Sequence, residues 1–210
     1  MENTKEIAKE FDKVLKDVRS SYRFLYQYQK RLMDLVTFIS NHLGFQFAEG
    51  EPHFHNNSLK SLKNIDPGKH WAWNSLQLYN YNFIHSAKTL GNWKDVMLMI
   101  NIVSDTGFYD REALIQTRVE DFAPVEESKT QLHIILKTQG IEWKAYMGTQ
   151  YIASSKKDEF VQNEDKDHLL IGKKYDLSRF IDETSTLAVL QDFEKFCHSN
   201  RVELVSDQGE

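Results

Sequence analysis

Two histidines separated by one residue, His53 and His55, have a spacing that could bind a metal. On an extended strand this spacing puts both imidazoles on one face, where they could coordinate a divalent cation. His70 and His85 could add further ligands, but the pair lies in a segment rich in turn-forming residues. Histidines at the surface are the alternative, and the sequence favours them. We therefore predict no metal and no other cofactor.

An acidic and a basic side chain flank a tryptophan in the sequence Glu142-Trp143-Lys144. With an upstream aspartate such as Asp121, the pattern resembles that of the PD-(D/E)xK nucleases, in which two carboxylates hold Mg²⁺ and the lysine steadies the attacking water. The resemblance covers three residues, and one exposed face of a strand would explain Glu142 and Lys144 equally well. A metal-dependent nuclease or hydrolase is therefore the alternative function and not the preferred one.

The stretch HWAWNSLQLYNYNFIH, residues 70–85, is rich in aromatic side chains. Trp71, Trp73, Tyr79 and Tyr81 could form a binding surface on which bases or sugars stack. Large aromatic residues also dominate protein cores, and the sequence favours that interpretation for most of the stretch. Few basic residues accompany the stretch, and the formal net charge of the chain is −5. Nucleic acid is therefore not an expected partner.

Other catalytic signatures are missing from the sequence. The chain has no glycine-rich nucleotide-binding pattern, no G-x-S-x-G and no C-x-x-C. Asp105-Thr106-Gly107 shares three letters with the aspartic proteases, but a turn at the end of a strand is the preferred explanation. Cys197, the single cysteine, lies on the apolar side of a predicted helix and is typical of a small core residue. These observations favour a protein without catalysis.

The first forty residues carry the most regular pattern in the chain. Apolar residues recur there every seven positions, as in an amphipathic helix or a coiled coil. No Gly or Pro interrupts this segment, and Gly44 stands where a helix would end. We predict one helix over residues 4–43, about 60 Å long at 1.5 Å per residue. Its candidate interface residues are Phe11, Val18, Leu25 and Leu32.

Two interpretations of this helix remain open. Its apolar face is broad, which is typical of a helix that packs on its own domain, and Ser21 and Tyr28 suit a dimer seam poorly. However, few single-domain cores of this size can cover so long a helix. Self-association or binding of another protein through the helix is therefore the second interpretation.

The remaining sequence predicts a sheet followed by a helix. Runs of strands without intervening helices indicate an antiparallel arrangement, and so an α+β fold of about five strands with a C-terminal helix packed on the sheet. We predict a single domain over 1–205, in which residues 44–69 form an irregular connection, 70–175 the sheet and 184–200 the helix, capped by Thr184 or Ser185. The strand candidates are a segment from Leu76, Asp95–Phe108, Gln131–Thr138, Ile141–Ala153 and His168–Tyr175, with residues 154–167 as a charged loop.

The sequence composition indicates the cellular compartment of the protein. The N-terminus is charged and lacks the apolar stretch of a secretion signal, and no apolar run is long enough to span a membrane. One cysteine fits a reducing compartment. We therefore predict a non-enzymatic cytoplasmic protein for binding or assembly, which acts through the long helix or the exposed face of the sheet. Another protein or a second copy is the expected partner, and a membrane is not.

Overall fold

The computed structural model describes residues 2–53, 75–109, 118–138, 157–165 and 168–204. The predictions about His55, Trp71, Trp73, Glu142 and Lys144, and the strand predicted over 141–153, lie outside these residues. The chain divides into two compact units, Met1–Phe38 and Ile39–Glu210. The single domain over 1–205 stays a prediction.

The predicted N-terminal helix is confirmed as α1, Glu2–His42. The chain turns away from the helix at Gly44, whose φ of 68° is in the left-handed region that glycine adopts without steric cost. The amide of Phe45 then donates to the carbonyl of Ser40 at 2.8 Å, which satisfies one of the last carbonyls of the helix. Gly44 therefore terminates the helix as its position in the sequence predicted.

The second unit is built on an antiparallel sheet, which confirms the α+β class. Within the described residues the strands are β1 Phe47–Pro52, β2 Asn80–His85, β3 Lys88–Leu90, β4 Trp93–Val103, β5 Gln131–Thr138, β6 Glu159–Asp165 and β7 His168–Asp176. Their order is β1-β2-β4-β5-β7-β6, with β3 beside β4. Seven strands are therefore present where the sequence predicted about five.

The centre of the sheet is β4, which pairs with β2 on one side and with β5 on the other. Its near-continuous apolar run predicted a strand covered on both faces. This prediction is confirmed, because Met99 and Ile100 point to opposite faces and are both buried. The strand ends at Val103, so the prediction that it continues to Phe108 was too long.

The prediction of a charged loop over 154–167 was wrong, because β6 occupies Glu159–Asp165. Among the described strands, it pairs only with β7 and comes last in the strand order. Charged side chains are common on edge strands, where they discourage pairing with other chains. Phe160 anchors the strand by packing over a cluster formed by Met99, Ile135 and Leu170. Charge composition alone therefore did not distinguish an edge strand from a loop.

The C-terminal helix is α2, Glu183–Ser199, and the residue that caps it is Asp182. The predicted caps Thr184 and Ser185 were wrong, since Asp182 Oδ1 accepts from the Ser185 amide at 2.8 Å and Ser185 Oγ accepts from the Asp182 amide at 3.0 Å. This reciprocal pair is a capping box. Helix α2 packs on the sheet as predicted, because Asp192 receives a hydrogen bond from Tyr175 of β7 at 2.9 Å.

Neither helix in the described part of the chain combines the length and the apolar character that crossing a bilayer requires.

Candidate functional site

The exposed apolar stripe of α1 is the first candidate surface. Phe11 is 60% exposed and Val18 is 43% exposed, although both belong to the seven-residue repeat. Their stripe also includes Ile7, Val14, Leu15 and Tyr22, which are exposed as well. Burying one large apolar side chain stabilises a protein by roughly 1.5–3 kcal/mol, so covering this stripe would be energetically favourable.

The exposure of the apolar stripe decreases toward the C-terminal half of the helix. Leu25 is half-buried, and Leu32, in the same row of the repeat, is only 1% exposed. The four predicted interface residues therefore divide into two exposed ones, Phe11 and Val18, and two that are partly or fully covered. The exposed part of the stripe, which is the candidate surface, therefore extends over about residues 7–26.

The charges of α1 are distributed unevenly along this surface. Residues 6–17 carry four acidic and three basic side chains, whereas residues 18–31 carry four basic side chains and no acidic one. The two halves of the exposed helix therefore differ in sign of charge. This asymmetry affects which orientation of two paired helices is electrostatically favourable.

The described aromatic candidates, Tyr79 and Tyr81, lie in different surroundings. Tyr79 ends a short 3-10 helix and packs with Phe108 and Phe122, and its hydroxyl donates to the carbonyl of Asp105 at 3.2 Å. Tyr81 lies on β2 with its ring centroid 4.7 Å from that of Phe83. Burial, and then the charge of Glu51, raise the pKa of the Tyr81 phenol. Both tyrosines are half-buried, so each side chain is partly covered by the protein and partly exposed.

The described members of the other predicted sites are placed as follows. Asp121 is exposed at the end of a short 3-10 helix, Val119–Asp121. His53 is only 6% exposed and follows β1, and its amide donates to the carbonyl of Asn80 at 2.8 Å. Burial lowers the pKa of His53 to about 4. Among the described residues, no group of three or more potential metal ligands comes together.

The turn interpretation of Asp105-Thr106-Gly107 is confirmed. Asp105 Oδ1 accepts from the Gly107 amide at 2.8 Å, directly after β4 ends. Such a contact is typical of an aspartate that closes a local turn. The core interpretation of Cys197 is confirmed as well, because the side chain is fully buried and burial raises the pKa of its thiol.

A buried polar row crosses the sheet, and the sequence analysis missed it. Asn82 of β2, Asn101 of β4, His133 of β5 and Lys174 of β7 are direct neighbours in the strand register. Each of these four residues is at most 6% exposed. Helix α2 contacts the opposite face, because Lys173 and Tyr175, which bind Asp192 of α2, alternate with Lys174. We call these four residues the polar row.

An asparagine network fixes one end of the polar row. Asn101 Nδ2 donates to Asn80 Oδ1 and to Asn82 Oδ1, both at 2.8 Å. Asn80 Nδ2 in turn donates to the hydroxyl of Tyr109. These contacts set the orientation of the Asn101 amide and leave its oxygen as an acceptor. Within the described residues, no hydrogen bond reaches this buried oxygen.

His133 lies directly opposite Asn101 and has a comparable open acceptor. Its Nε2 is 3.2 Å from Gln131 Oε1, an oxygen that can only accept, so Nε2 carries the proton. Burial, and then the charge of Lys174, lower the pKa of His133 to about 3. Its Nδ1 is therefore an unprotonated acceptor, and the described residues offer it no donor. Each buried acceptor without a partner costs about 1–3 kcal/mol.

The polar row left a weak signal in the sequence. Asn101 interrupts the apolar run around Met99 and Ile102, and His133 interrupts the run Leu132–Leu136. A polar residue inside a fully buried strand is unusual and indicates a specific role. Only the strand register, however, shows that the two interruptions are neighbours.

A comparison with known families identifies the chain. The model of the PM0109 family matches residues 8–203. The chain belongs to the PM0109 family. Among curated proteins and among solved structures, no match was found.

The match to the PM0109 family covers both candidate surfaces. It begins at residue 8, within the exposed part of α1, and it includes every strand that carries the polar row. Apart from Ile7, both surfaces therefore lie in the part of the chain that matches the PM0109 family.

Proposed function

We propose that this protein is a non-enzymatic assembly protein, and that a second copy of the same chain is the partner of its exposed helix. The observation that supports the proposal is the stripe containing Phe11, Val14 and Val18, which exposes large apolar side chains along one side of α1. A matching stripe on another copy would remove both from water. The assembly would act in the cytosol, where the single buried cysteine would stay reduced.

The charge distribution supports an antiparallel pair of helices. In a parallel pair, the four basic residues between positions 18 and 31 of each copy would lie beside the same four residues of the other copy. In an antiparallel pair, this basic segment lies beside the segment with excess acidic residues. One register then places Val14 beside Leu25 of the second copy and Leu15 beside Tyr22 of the second copy.

The helix is a better association surface than the sheet. The sheet face without α2 carries the polar row, in which Asn101 and His133 are fully buried. A partner that docks on the sheet would need that face to be uncovered. The proposal therefore assigns assembly to α1 between residues 7 and 26.

Sedimentation equilibrium on the full chain tests this proposal. The double variant Phe11→Glu/Val18→Glu introduces two charges into the stripe, and we expect its dimer dissociation constant to rise at least about 100-fold, equivalent to about 2.7 kcal/mol. The matched control is Ser20→Glu/Gln27→Glu, which adds the same charge at exposed positions on the other side of α1. The control should dimerise like wild type, and equal dissociation constants for both variants would contradict the proposal.

A metal-dependent nuclease or hydrolase that uses Glu142, Lys144 and Asp121 is the rival function. Of these residues, Asp121 is described, and it is an exposed residue at the end of its 3-10 helix. Incubating the protein with an oligonucleotide and Mg²⁺ or Mn²⁺ distinguishes the two functions. Cleavage that disappears in both Glu142→Ala and Lys144→Ala would favour the rival, and we expect no cleavage by wild type.

A further inference from the structure

Basic side chains line the side of α1 that faces away from the apolar stripe. Each of them stands two positions before a predicted interface residue, which places it about 160° away around the helix axis. Residues seven apart in an α-helix lie nearly on one line and are about 10.5 Å apart, so the set forms a nearly straight row about 32 Å long. We call it the basic row, and its members, all exposed, are Lys9, Lys16, Arg23 and Lys30.

Few acidic side chains accompany the basic row. Between residues 9 and 30, the neighbouring positions, three or four residues from a member of the row, carry Lys13, Arg19 and one carboxylate, Asp12. These three side chains are exposed as well. Six basic residues against one acidic residue give this side of α1 a net charge of +5, in a chain whose formal net charge is −5. The charge of the whole chain, which predicts no nucleic-acid partner, therefore conceals a local excess of positive charge.

Most of these cations are not neutralised by the protein itself. Exposed helix faces commonly mix charges of both signs, and opposite charges four residues apart stabilise a helix by about 0.2–0.5 kcal/mol. Among the residues that the structure describes, Lys30 forms such a pair with Asp34 at 3.0 Å, and the other five cations form no ion pair. Because like charges along one line repel each other, an anionic partner would lower the electrostatic energy of the row.

The straight shape of the basic row favours a nucleic-acid duplex over an acidic protein. A duplex is a stiff rod that carries one negative charge per about 1.7 Å of its axis, so a row about 32 Å long meets phosphates along its whole length. The surface of a folded protein carries charges of both signs, so an acidic protein would bring cations as well as carboxylates against the row.

We propose that the basic row binds the phosphate backbone of a nucleic-acid duplex without regard to base sequence. DNA and RNA duplexes share this chemistry. The site goes beyond the proposed pairing of two copies and does not depend on it, because the row lies on the side of α1 opposite the stripe. When two helices pair through their stripes, the row of each copy stays exposed.

Fluorescence anisotropy of the full chain with labelled duplexes of about 20 base pairs tests the site. DNA and RNA duplexes, each in two unrelated sequences, are titrated at about 50 mM salt. We expect saturable binding of DNA, RNA or both with a dissociation constant below about 10 μM, equal for the two sequences and weaker at higher salt. Absence of binding to both kinds of duplex would overturn the proposal. Displacement by polyglutamate as effective as displacement by unlabelled duplex would indicate an acidic protein as the partner and would also overturn it.

Charge-neutralising variants locate the binding. Lys16→Gln/Arg23→Gln removes two charges from the basic row, and glutamine is a good helix former, so the variant should fold. At about 100 mM salt we expect its dissociation constant to rise at least about 10-fold. The slope of log affinity against log salt concentration should become shallower by about 1.8, since each neutralised phosphate contributes about 0.9.

The matched control for this variant is Lys94→Gln/Lys195→Gln, which removes the same charge from exposed positions outside α1. It should bind the duplex like wild type, with the same salt dependence. Equal effects of the two variants would show that net charge, and not the basic row, carries the binding, and would contradict the proposal. Both variants leave the apolar stripe intact, so a failure of duplex binding is distinguishable from a failure of the helices to pair.

Discussion

The hydroxyl of Tyr175 on β7 donates a hydrogen bond of 2.9 Å to Asp192 Oδ2 on α2. Lys173 Nζ lies 3.0 Å from the same carboxylate oxygen. Burial and the bond to Asp192 both raise the pKa of the Tyr175 phenol, so the hydroxyl stays protonated and remains a donor. Asp192 therefore connects α2 to the sheet through polar contacts with Tyr175 and Lys173.

The first prediction concerns this contact. Tyr175→Phe removes the hydroxyl and keeps the ring, and we expect the free energy of unfolding to fall by about 1.5–2 kcal/mol, because a partly buried bond to a charged acceptor is lost. Urea denaturation followed by circular dichroism measures the change. Tyr26→Phe, at an exposed position of α1, is the control and should change stability by less than about 0.5 kcal/mol. Equal effects of the two variants would contradict this role of Tyr175.

The second prediction is a pH dependence caused by His133. Its pKa is about 3 in the folded protein, whereas a histidine in water, as in the unfolded chain, has an ordinary pKa of 6.5. Below pH 6.5 the unfolded chain therefore binds a proton that the folded protein does not bind. The contribution of His133 to the free energy of unfolding is therefore complete above this pH. It falls with acidification by about 1.4 kcal/mol per pH unit.

Urea denaturation of wild type and His133→Gln at several pH values between about 4 and 8 measures this contribution. The variant should lose stability less steeply on acidification, whatever its stability at neutral pH. Parallel profiles for the two proteins would show that His133 is not held neutral by its buried position.

The third prediction concerns the close contact between β6 and β7. A Cβ added at Gly172 would lie 2.2 Å from Phe160 Cζ and 2.9 Å from the carbonyl oxygen of Ile134. Gly172→Ala should therefore destabilise the protein by about 1–3 kcal/mol through overpacking. Adding Phe160→Leu to this variant should restore part of the lost stability, because it removes the contact with the ring. The restoration is partial because the contact with the carbonyl oxygen of Ile134 remains. A double-mutant cycle by urea denaturation that gives additive effects would contradict the contact.

The fourth prediction concerns the orientation of the paired helices. A spin label at Lys13 measures it, since Cys197 is buried and only an introduced cysteine at position 13 is labelled. In the antiparallel register, the two labels are offset by about 20 Å along the helix axis, at 1.5 Å per residue. In a parallel pair the labels have no offset along the axis. Their separation is then the distance between the axes, about 8–10 Å, plus the outward reach of both side chains and labels, because position 13 lies on the same side of α1 as Ser20 and Gln27. A distance from pulsed electron resonance that matches this arrangement without the axial offset would contradict the antiparallel pair.

Strong periodicity made part of the fold predictable. Helix α1 was recognisable because its apolar repeat extends over about forty residues without a breaking residue, and β5 has the predicted bounds Gln131–Thr138. The edge strand β6 was missed because its residues are charged, and local sequence cannot show which neighbour they pair with. Phe11 and Leu32 occupy equivalent positions in the repeat but differ in exposure, 60% against 1%, which periodicity does not reveal.

The polar row could not be predicted because it depends on pairing between distant segments. Asn82, Asn101, His133 and Lys174 lie on four strands, and no one of them shows in the sequence which of the others it lies beside. Their burial and their alignment follow from the register of the sheet. The residue types alone therefore could not show that these four side chains form one buried row.

Light scattering on the full-length wild-type protein, over a range of concentrations, measures the central claim most directly. Association of α1 through its exposed stripe predicts a molar mass that approaches twice that of one chain as concentration rises. A molar mass equal to that of one chain at every concentration would contradict assembly through this helix.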